Sequence, residues 1–228
     1  MTRKQTKSDD DKKLLKELGD FIEERWKKGV GKIEEIFKDD KESDDKLFSY
    51  FKMFMDDKGV ASVTPSSKYL IGRVLKAMNP SSGRKVIVEF GAADGVITKK
   101  LLNKITSDSV LVAIELNDEL FAKLSQIKDP RLKTYHGDVR EFDKIMKEVG
   151  VDEAPDVIFS GIPFAFLSGR GRHELLLKIS ERLKPNGRFV AYQVTTHLIP
   201  LLKDYFKRVK SEFEIRNIPP HFVFTAFK

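Results

Sequence analysis

The sequence predicts an α/β fold: a mostly parallel sheet with helices on both faces and an antiparallel pair of strands at its end. Two observations carry this. From residue 61 onward, short runs rich in Val, Ile and Phe alternate with segments of helical period, the pattern of successive β-α-β units. After residue 210 the alternation stops. Two strand-like runs, 211–218 and 221–227, are then joined only at Pro219-Pro220, too close for a crossover and suited to a hairpin.

Each element has its own signal. A helix is expected over Ser66 to Met78, opened by Pro65-Ser66 and closed at Asn79-Pro80. Strands are expected at 86–91, 110–116, 132–137, 156–160 and 187–195, with helices between them at 97–104, 117–127, 140–149 and 171–184. With the terminal pair this makes seven strands. Upstream, residues 1–11 are polar and without period, and disorder is expected there. Leu14, Leu18, Phe21, Ile22 and Trp26 then recur at helical spacing, Gly29 and Gly31 interrupt, and Ile33, Ile36 and Phe37 resume. An acidic connection at Asp39 to Asp45 precedes Leu47 to Met55, which is apolar nearly all round. The chain therefore divides into a helical extension, 1–58, and an α/β domain, 59–228. The extension either packs on the body or serves as a lid or an interfacial membrane anchor.

Composition narrows the chemistry. The 228 residues include no cysteine, which excludes disulfides, thiolate nucleophiles and cysteine-based zinc sites. The four histidines, at 136, 173, 197 and 221, show no ligand spacing, so no metal is expected. No apolar stretch approaches the roughly 20 residues of a membrane span, and the first residues hold no signal core, so a cytoplasmic location is expected. The net charge is +7 and uneven: residues 1–60 carry 15 Lys/Arg against 16 Asp/Glu, and residues 61–228 carry 27 against 19. The body is thus basic, which points either to an anionic partner (nucleic acid, an anionic membrane, a phosphate-bearing substrate) or simply to a soluble surface.

Three strand ends concentrate polar residues. The first strand runs into Glu89-Phe90-Gly91-Ala92-Ala93-Asp94-Gly95, where two glycines permit a sharp turn and close approach of backbone to a ligand. No Gly-Lys-Ser/Thr follows, and the spacing is not that of the dinucleotide fingerprint. The second strand ends at Glu115-Leu116, twenty residues after Gly95, where an acid can accept from ribose hydroxyls. The third ends at Gly137-Asp138-Val139, where an acid can accept from an adenine amino group. Any one of these acids would serve equally well as a helix N-cap. Three together, at the carboxyl edge of a parallel sheet, point to a nucleoside site. The fourth strand ends on Ser160-Gly161-Ile162-Pro163-Phe164, a small stiff turn that packing alone does not require.

These residues resemble the class I S-adenosylmethionine-dependent methyltransferases, whose fold is a Rossmann-like seven-stranded sheet with an antiparallel terminal hairpin. A narrower similarity over residues 47–228 is carried by Gly59 to Ser67, Ser160 to Phe164 and Asn217-Ile218-Pro219-Pro220-His221-Phe222-Val223. It is to the bacterial phospholipid N-methyltransferases, which are related to the ribosomal RNA adenine dimethyltransferases. The resemblance implies S-adenosylmethionine held by Glu89, Phe90, Gly91, Ala92, Ala93, Gly95, Glu115, Leu116, Asp138, Val139 and Ser160. It implies an acceptor amine lined by Ser160, Gly161, Pro163 and Phe164, with Phe166 and Tyr192 as further aromatic candidates. His197, after the fifth strand, is a candidate base, and His221 another; His136 and His173 are read as structural or surface residues. Two departures stand out: Ala93 where many members have glycine, and Thr195-Thr196-His197 where members often carry an aromatic and Gly-Pro. The implied substrate is the amine of phosphatidylethanolamine or a related lipid, at an anionic or zwitterionic membrane surface. The alternatives are RNA adenine methylation, against which Ser160 counts because those enzymes usually have Asn or Asp there, and a non-enzymatic nucleoside-binding protein at the membrane.

Overall fold

The computed structural model describes residues 66–164, 167–217 and 220–228. The expected helices of the extension, its boundary at 58/59, Pro65, Phe166 and Pro219 lie outside those residues.

The described chain opens with α1 (Lys68–Met78), whose N-cap Ser67 accepts from the Leu70 amide and whose C-cap Asn79 is left-handed. Then follow β1 (Val86–Phe90), α2 (Val96–Leu102), β2 (Val110–Glu115), α3 (Asp118–Leu124), β3 (Leu132–His136), a single 3-10 turn (Val139–Glu141), α4 (Phe142–Glu148) and β4 (Val157–Ser160). The last elements are α5 (Gly169–Arg182), β5 (Arg188–Gln193), α6 (Leu198–Tyr205), β6 (Arg208–Glu214) and β7 (His221–Phe227). The seven strands form one sheet in the order β3-β2-β1-β4-β5-β7-β6. β1, β2, β3, β4 and β5 run parallel; β7 is antiparallel to both β5 and β6. The fold class and the terminal hairpin are those the sequence predicts.

Alternation sorts the core. Ile87, Leu111, Val157, Phe159, Val190 and Val223 face the layer of α1 and α2. Val86, Val88, Phe90, Val112, Ile158, Phe189 and Phe224 face α4, α5 and α6. All five residues of β1 are buried, including Glu89, because helices cover the central strand on both faces. Asp156, just before β4, ties the opposite end of the sheet: its carboxylate accepts from the Val86 amide at 2.9 Å and from Lys184 Nζ at 2.9 Å.

Two elements depart from expectation. α6 was not foreseen because Pro200 sits inside it, yet Pro200 is its third residue, where a helix has no amide partner to lose. β6 lies three residues earlier than predicted. Ile215, whose apolar side chain suggests a continuing strand, is 69 % exposed on the turn. The turn is fixed instead by Glu214, which is buried yet accepts from Arg216 Nε at 2.7 Å and Arg73 Nε at 3.0 Å. The Arg216 guanidinium outweighs the cost of burial and, with the Arg216 amide and Arg73, brings the Glu214 carboxyl down to about 2. A depressed carboxyl stabilises the fold above its ordinary range near 4.5, and that contribution disappears as the pH falls through about 2. Glu214→Gln is therefore expected to cost about 2 kcal/mol at pH 7, with the difference from wild type shrinking between pH 4.5 and 2. Urea unfolding at a series of pH values checks this.

Candidate active site

The carboxyl ends of β1, β2 and β4 meet where the sheet order reverses, between β1 and β4. The loop after β1 turns on Gly91, whose φ is +70° and where a Cβ would come within 2.9 Å of Ile162 Cγ1. Gly95 caps α2. Between them Ala93 is also left-handed, at φ +49°, which costs an alanine roughly 1 kcal/mol. What holds it there is visible: the Ala93 amide donates to Glu115 Oε2 at 2.8 Å. Ala93→Gly is expected to raise stability by about 0.5 kcal/mol, the relief of strain less the added freedom of the unfolded chain, and to leave the loop's path unchanged. Thermal unfolding with and without S-adenosylhomocysteine measures both.

Glu115, 8 % exposed, also accepts from the Leu116 and Asn117 amides at 3.0 and 2.9 Å. Its carboxylate thus braces the glycine loop against the end of β2. Leu116 beside it is exposed. Glu89 is fully enclosed, and Thr98 Oγ1 donates to its Oε2 at 2.7 Å. Burial raises its carboxyl to about 8; the Thr98 bond opposes the shift and the charge of Glu115 adds to it. Asp138 has taken the capping role: it accepts from the Arg140 amide at 2.8 Å and pairs with the Arg140 guanidinium. Val139, next to it, is buried. Phe90 is core, its ring tilted against that of Phe142 at 5.4 Å, and Ala92 is buried against Ala113 and Leu124.

The turn after β4 is built from its own backbone. The Gly161 amide donates to the Phe90 carbonyl at 2.9 Å, and Ser160 Oγ, fully buried, accepts from the Ile162 amide at 3.2 Å. A Cβ on Gly161 would lie 3.2 Å from the Gly91 carbonyl oxygen and 3.3 Å from the Tyr192 hydroxyl, so this glycine keeps a narrow place between three chain segments open. Pro163 is half-buried. Phe164 is 2 % exposed and packs edge-on to Phe189 at 5.9 Å, so its ring belongs to the core.

The histidines separate. His197 caps the start of α6 on the surface, and burial together with Arg172 keeps its imidazole below the usual histidine range. His136 stacks on Phe121 and contacts the Leu116 carbonyl; His173 bonds the Tyr205 hydroxyl at 2.7 Å. His221 instead joins a polar cluster near Gly161. Its ring lies 5.6 Å from that of Tyr192, and Asn217 Nδ2 is 3.1 Å from its Nδ1. Tyr192 stacks on Phe159 and bonds Ser66. Its phenol is raised by burial and by Glu89, against the opposing Ser66 bond, so it stays protonated. The buried Nε2 of Gln193, next in β5, has no hydrogen-bond partner among the described residues. Local sequence gives no sign of Gln193 and marks Asn217 only as the first residue of the 217–223 motif, without a role; both depend on the strand pairing that brings 193 opposite 222.

Residues 66–207 match the family described as ribosomal RNA adenine dimethylase, which covers more than half of the chain. The chain belongs to that family. This S-adenosylmethionine-dependent methyltransferase is also 29 % identical over 177 residues to the ornithine lipid N-methyltransferase of Singulisphaera acidiphila, spanning 74 % of this chain and 88 % of that one. Among solved structures, the 1,6-didemethyltoxoflavin-N1-methyltransferase of Burkholderia thailandensis superposes with a TM-score of 0.59 at 17 % identity, over 79 % of this chain and 85 % of that one. The precorrin-6y C5,15-methyltransferase of Geobacter metallireducens does so at 0.57 and 17 %, over 73 % and 95 %. Both likenesses are of fold. The methyltransferase's own residues suit the cofactor. Two buried carboxyl groups, neither paired with a Lys, Arg or His among the described residues, flank a loop open at Gly91 and Gly161, and they match a ligand that brings ribose hydroxyls and positive charge. Among the described residues no group of His, Asp or Glu could hold a metal ion.

Proposed function

We propose that this methyltransferase transfers methyl groups to the amine of a membrane-lipid headgroup, phosphatidylethanolamine or a related amine lipid, at the membrane surface. The observation that carries the reading is the lipid-modifying relative, matched along 88 % of its own length. Ser160, where RNA adenine enzymes usually carry Asn or Asp, supports it.

Bound at the β1 loop, S-adenosylmethionine supplies a methyl group on a cationic sulfur that an uncharged amine displaces without further activation. The protein's task is alignment and exclusion of water. In this reading Glu115 holds the ribose and Glu89 faces the cationic end. Gly161 leaves room for the amine, Pro163 stiffens the wall, and the Tyr192 hydroxyl beside Gly161 accepts from the amine. Asp138 and Val139 border the adenine with Leu116. The extension, residues 1–58, serves as lid or membrane contact, and the enzyme is cytoplasmic and peripheral to the membrane. The exposed Phe213, near the end of β6, and Ile215, on the turn after it, lie at the same edge as the site and offer the body a shallow contact of its own.

The second reading, RNA methylation, is favoured by the family description and by the basic body. One assay separates them: labelled methyl is offered with vesicles of phosphatidylethanolamine, vesicles of ornithine lipid, and structured RNA in parallel. Label is expected in lipid. Phe213→Glu with Ile215→Glu should lower the rate on vesicles at least fivefold and spare detergent-dispersed lipid. Label in RNA alone would overturn the lipid reading.

A further inference from the structure

The sheet face under α1 turns cationic at the end away from the candidate active site. Alternation places Arg188, Val190 and Tyr192 of β5 on that face, with Val223, Thr225 and Phe227 of β7 and Arg208, Lys210, Glu212 and Glu214 of β6. Strand register then sets Arg188, Phe227 and Arg208 in one row across three strands, with Phe227 in the middle. The Arg208 guanidinium lies 4.1 Å from the centroid of the Phe227 ring, that of Arg188 5.4 Å, and Lys210 Nζ 5.9 Å. Three cations thus gather on one ring, at the start of β5 and β6 and the end of β7.

They gather without a counter-charge. The acids of the same face are taken: Glu212 pairs with Arg73, and Glu214 with Arg73 and Arg216. Among the described residues no carboxylate pairs with Arg188, Arg208 or Lys210. Arg188 is half-buried, and its Nη1 donates to the Ala77 carbonyl at 3.2 Å, a neutral acceptor. Burial, and then the charge of Arg208, hold its guanidinium below the usual arginine range. Like charges on neighbouring strands repel, and the ring's electron-rich face offsets part of that. A bound anion would offset the rest. The donors for one are present. The ring fixes the place of Arg208 and occupies none of its N–H groups in a hydrogen bond to a described residue, and the exposed Lys210 ammonium adds three more.

We propose that Arg188, Arg208 and Lys210, gathered on Phe227, bind a small soluble phosphate compound, a phosphate monoester or a pyrophosphate group. A guanidinium fork matches two phosphate oxygens, and three positive charges suit a multiply charged group better than a single carboxylate. The cationic run is also short. Beyond Lys210 the same face continues with Glu212 and Glu214, so a polyanion following β6 meets carboxylates. The cluster lies at the opposite end of the parallel strands from the cofactor loop, and Arg208 is roughly 17 Å along β6 from Phe213. The site is therefore separate from the methyl-transfer centre, and its assignment does not depend on which acceptor is methylated.

Isothermal titration of the full chain with pyrophosphate, at constant ionic strength in potassium chloride, tests this. One pyrophosphate per chain is expected, with the same affinity when S-adenosylhomocysteine is saturating. Arg208→Gln with Lys210→Gln, both at exposed positions, should weaken binding at least tenfold. Lys133→Gln with Lys147→Gln, which removes as much charge from exposed positions of β3 and α4, should weaken it less than twofold. Thermal unfolding gives a second reading: pyrophosphate should raise the Tm of the wild type and leave that of the Arg208/Lys210 variant unmoved. Equal losses in the two double variants would mean diffuse attraction to a basic surface and would overturn the site. Competition by S-adenosylhomocysteine would place pyrophosphate in the cofactor loop and overturn it as well. Failure of the wild type to bind pyrophosphate refutes it outright. If structured RNA or vesicles rich in phosphatidylglycerol then bind, and Arg208→Gln with Lys210→Gln releases them, the three cations serve a macromolecule instead.

Discussion

Glu115→Ala is expected to weaken binding of S-adenosylhomocysteine at least 100-fold. The carboxylate has two tasks. In the reading proposed above it offers the ribose hydroxyls an acceptor, and it accepts from the amides of Ala93, Leu116 and Asn117. Hydrogen bonds to a charged group contribute about 1.5–3 kcal/mol each, so losing two to the ligand already reaches a factor of 100. The Ala93 amide adds to this. Without its partner the left-handed alanine has no reason to keep φ at +49°, and the loop that shapes the site relaxes. Isothermal titration gives the affinity. Unchanged binding would remove Glu115 from the site.

The second large effect belongs to Glu89. Its carboxyl is raised to about 8, mainly by burial. The folded protein therefore holds a proton that the unfolded chain releases near pH 4.5. Stability from this group is full below that ordinary range and is lost as the pH rises through about 8, at up to about 1.4 kcal/mol per pH unit. Glu89→Gln, which keeps the shape and stays neutral, should flatten the dependence and be the more heat-resistant protein at pH 8. The same proton should appear in binding. A cationic ligand end placed against Glu89 favours the carboxylate, so S-adenosylmethionine binding at pH 7 should release about one proton in the wild type and none in Glu89→Gln. Calorimetry in two buffers of different ionisation enthalpy measures this. Equal observed heats in the two buffers, meaning no proton released, would show that Glu89 does not meet the cation.

Much of this was legible in the sequence, and the reasons are local. β1 is a continuous apolar run with one acid near its end, and a strand covered on both faces has no other way to look. That Glu115 and Asp138 share one edge was legible because strand ends in a parallel sheet gather there. What escaped depends on residues far apart in the chain. β6 is charged on the side where Glu212 and Glu214 meet Arg73 of α1 and carries only Val209 and Phe213 as apolar residues on the other, so its alternation is weak and its start was placed three residues late. Asn217 reaches Ser67 across 150 positions, a link no window of sequence contains. Phe164 and Ser160 sit in the motif that drew attention to the turn, yet the ring of one went to the core and the hydroxyl of the other to the Ile162 amide. A motif marks the place a chain segment occupies; packing decides which of its side chains remain available.

The position of β4 beside β1 also bears on how the chain emerges during synthesis. Val86 and Asp156, whose carboxylate holds the Val86 amide, are 70 residues apart. By the time β1, β2 and β3 have left the ribosome, one edge of β1, a strand buried along its whole length in the finished sheet, has no neighbour until residues 157–160 follow. At roughly 5–20 residues per second that interval lasts several seconds. During it the nascent chain presents a bare strand edge of the kind that pairs with other chains. Nascent chains stalled between about residues 140 and 190 are thus where chaperone dependence and aggregation should peak, and release beyond the end of β4 should relieve both.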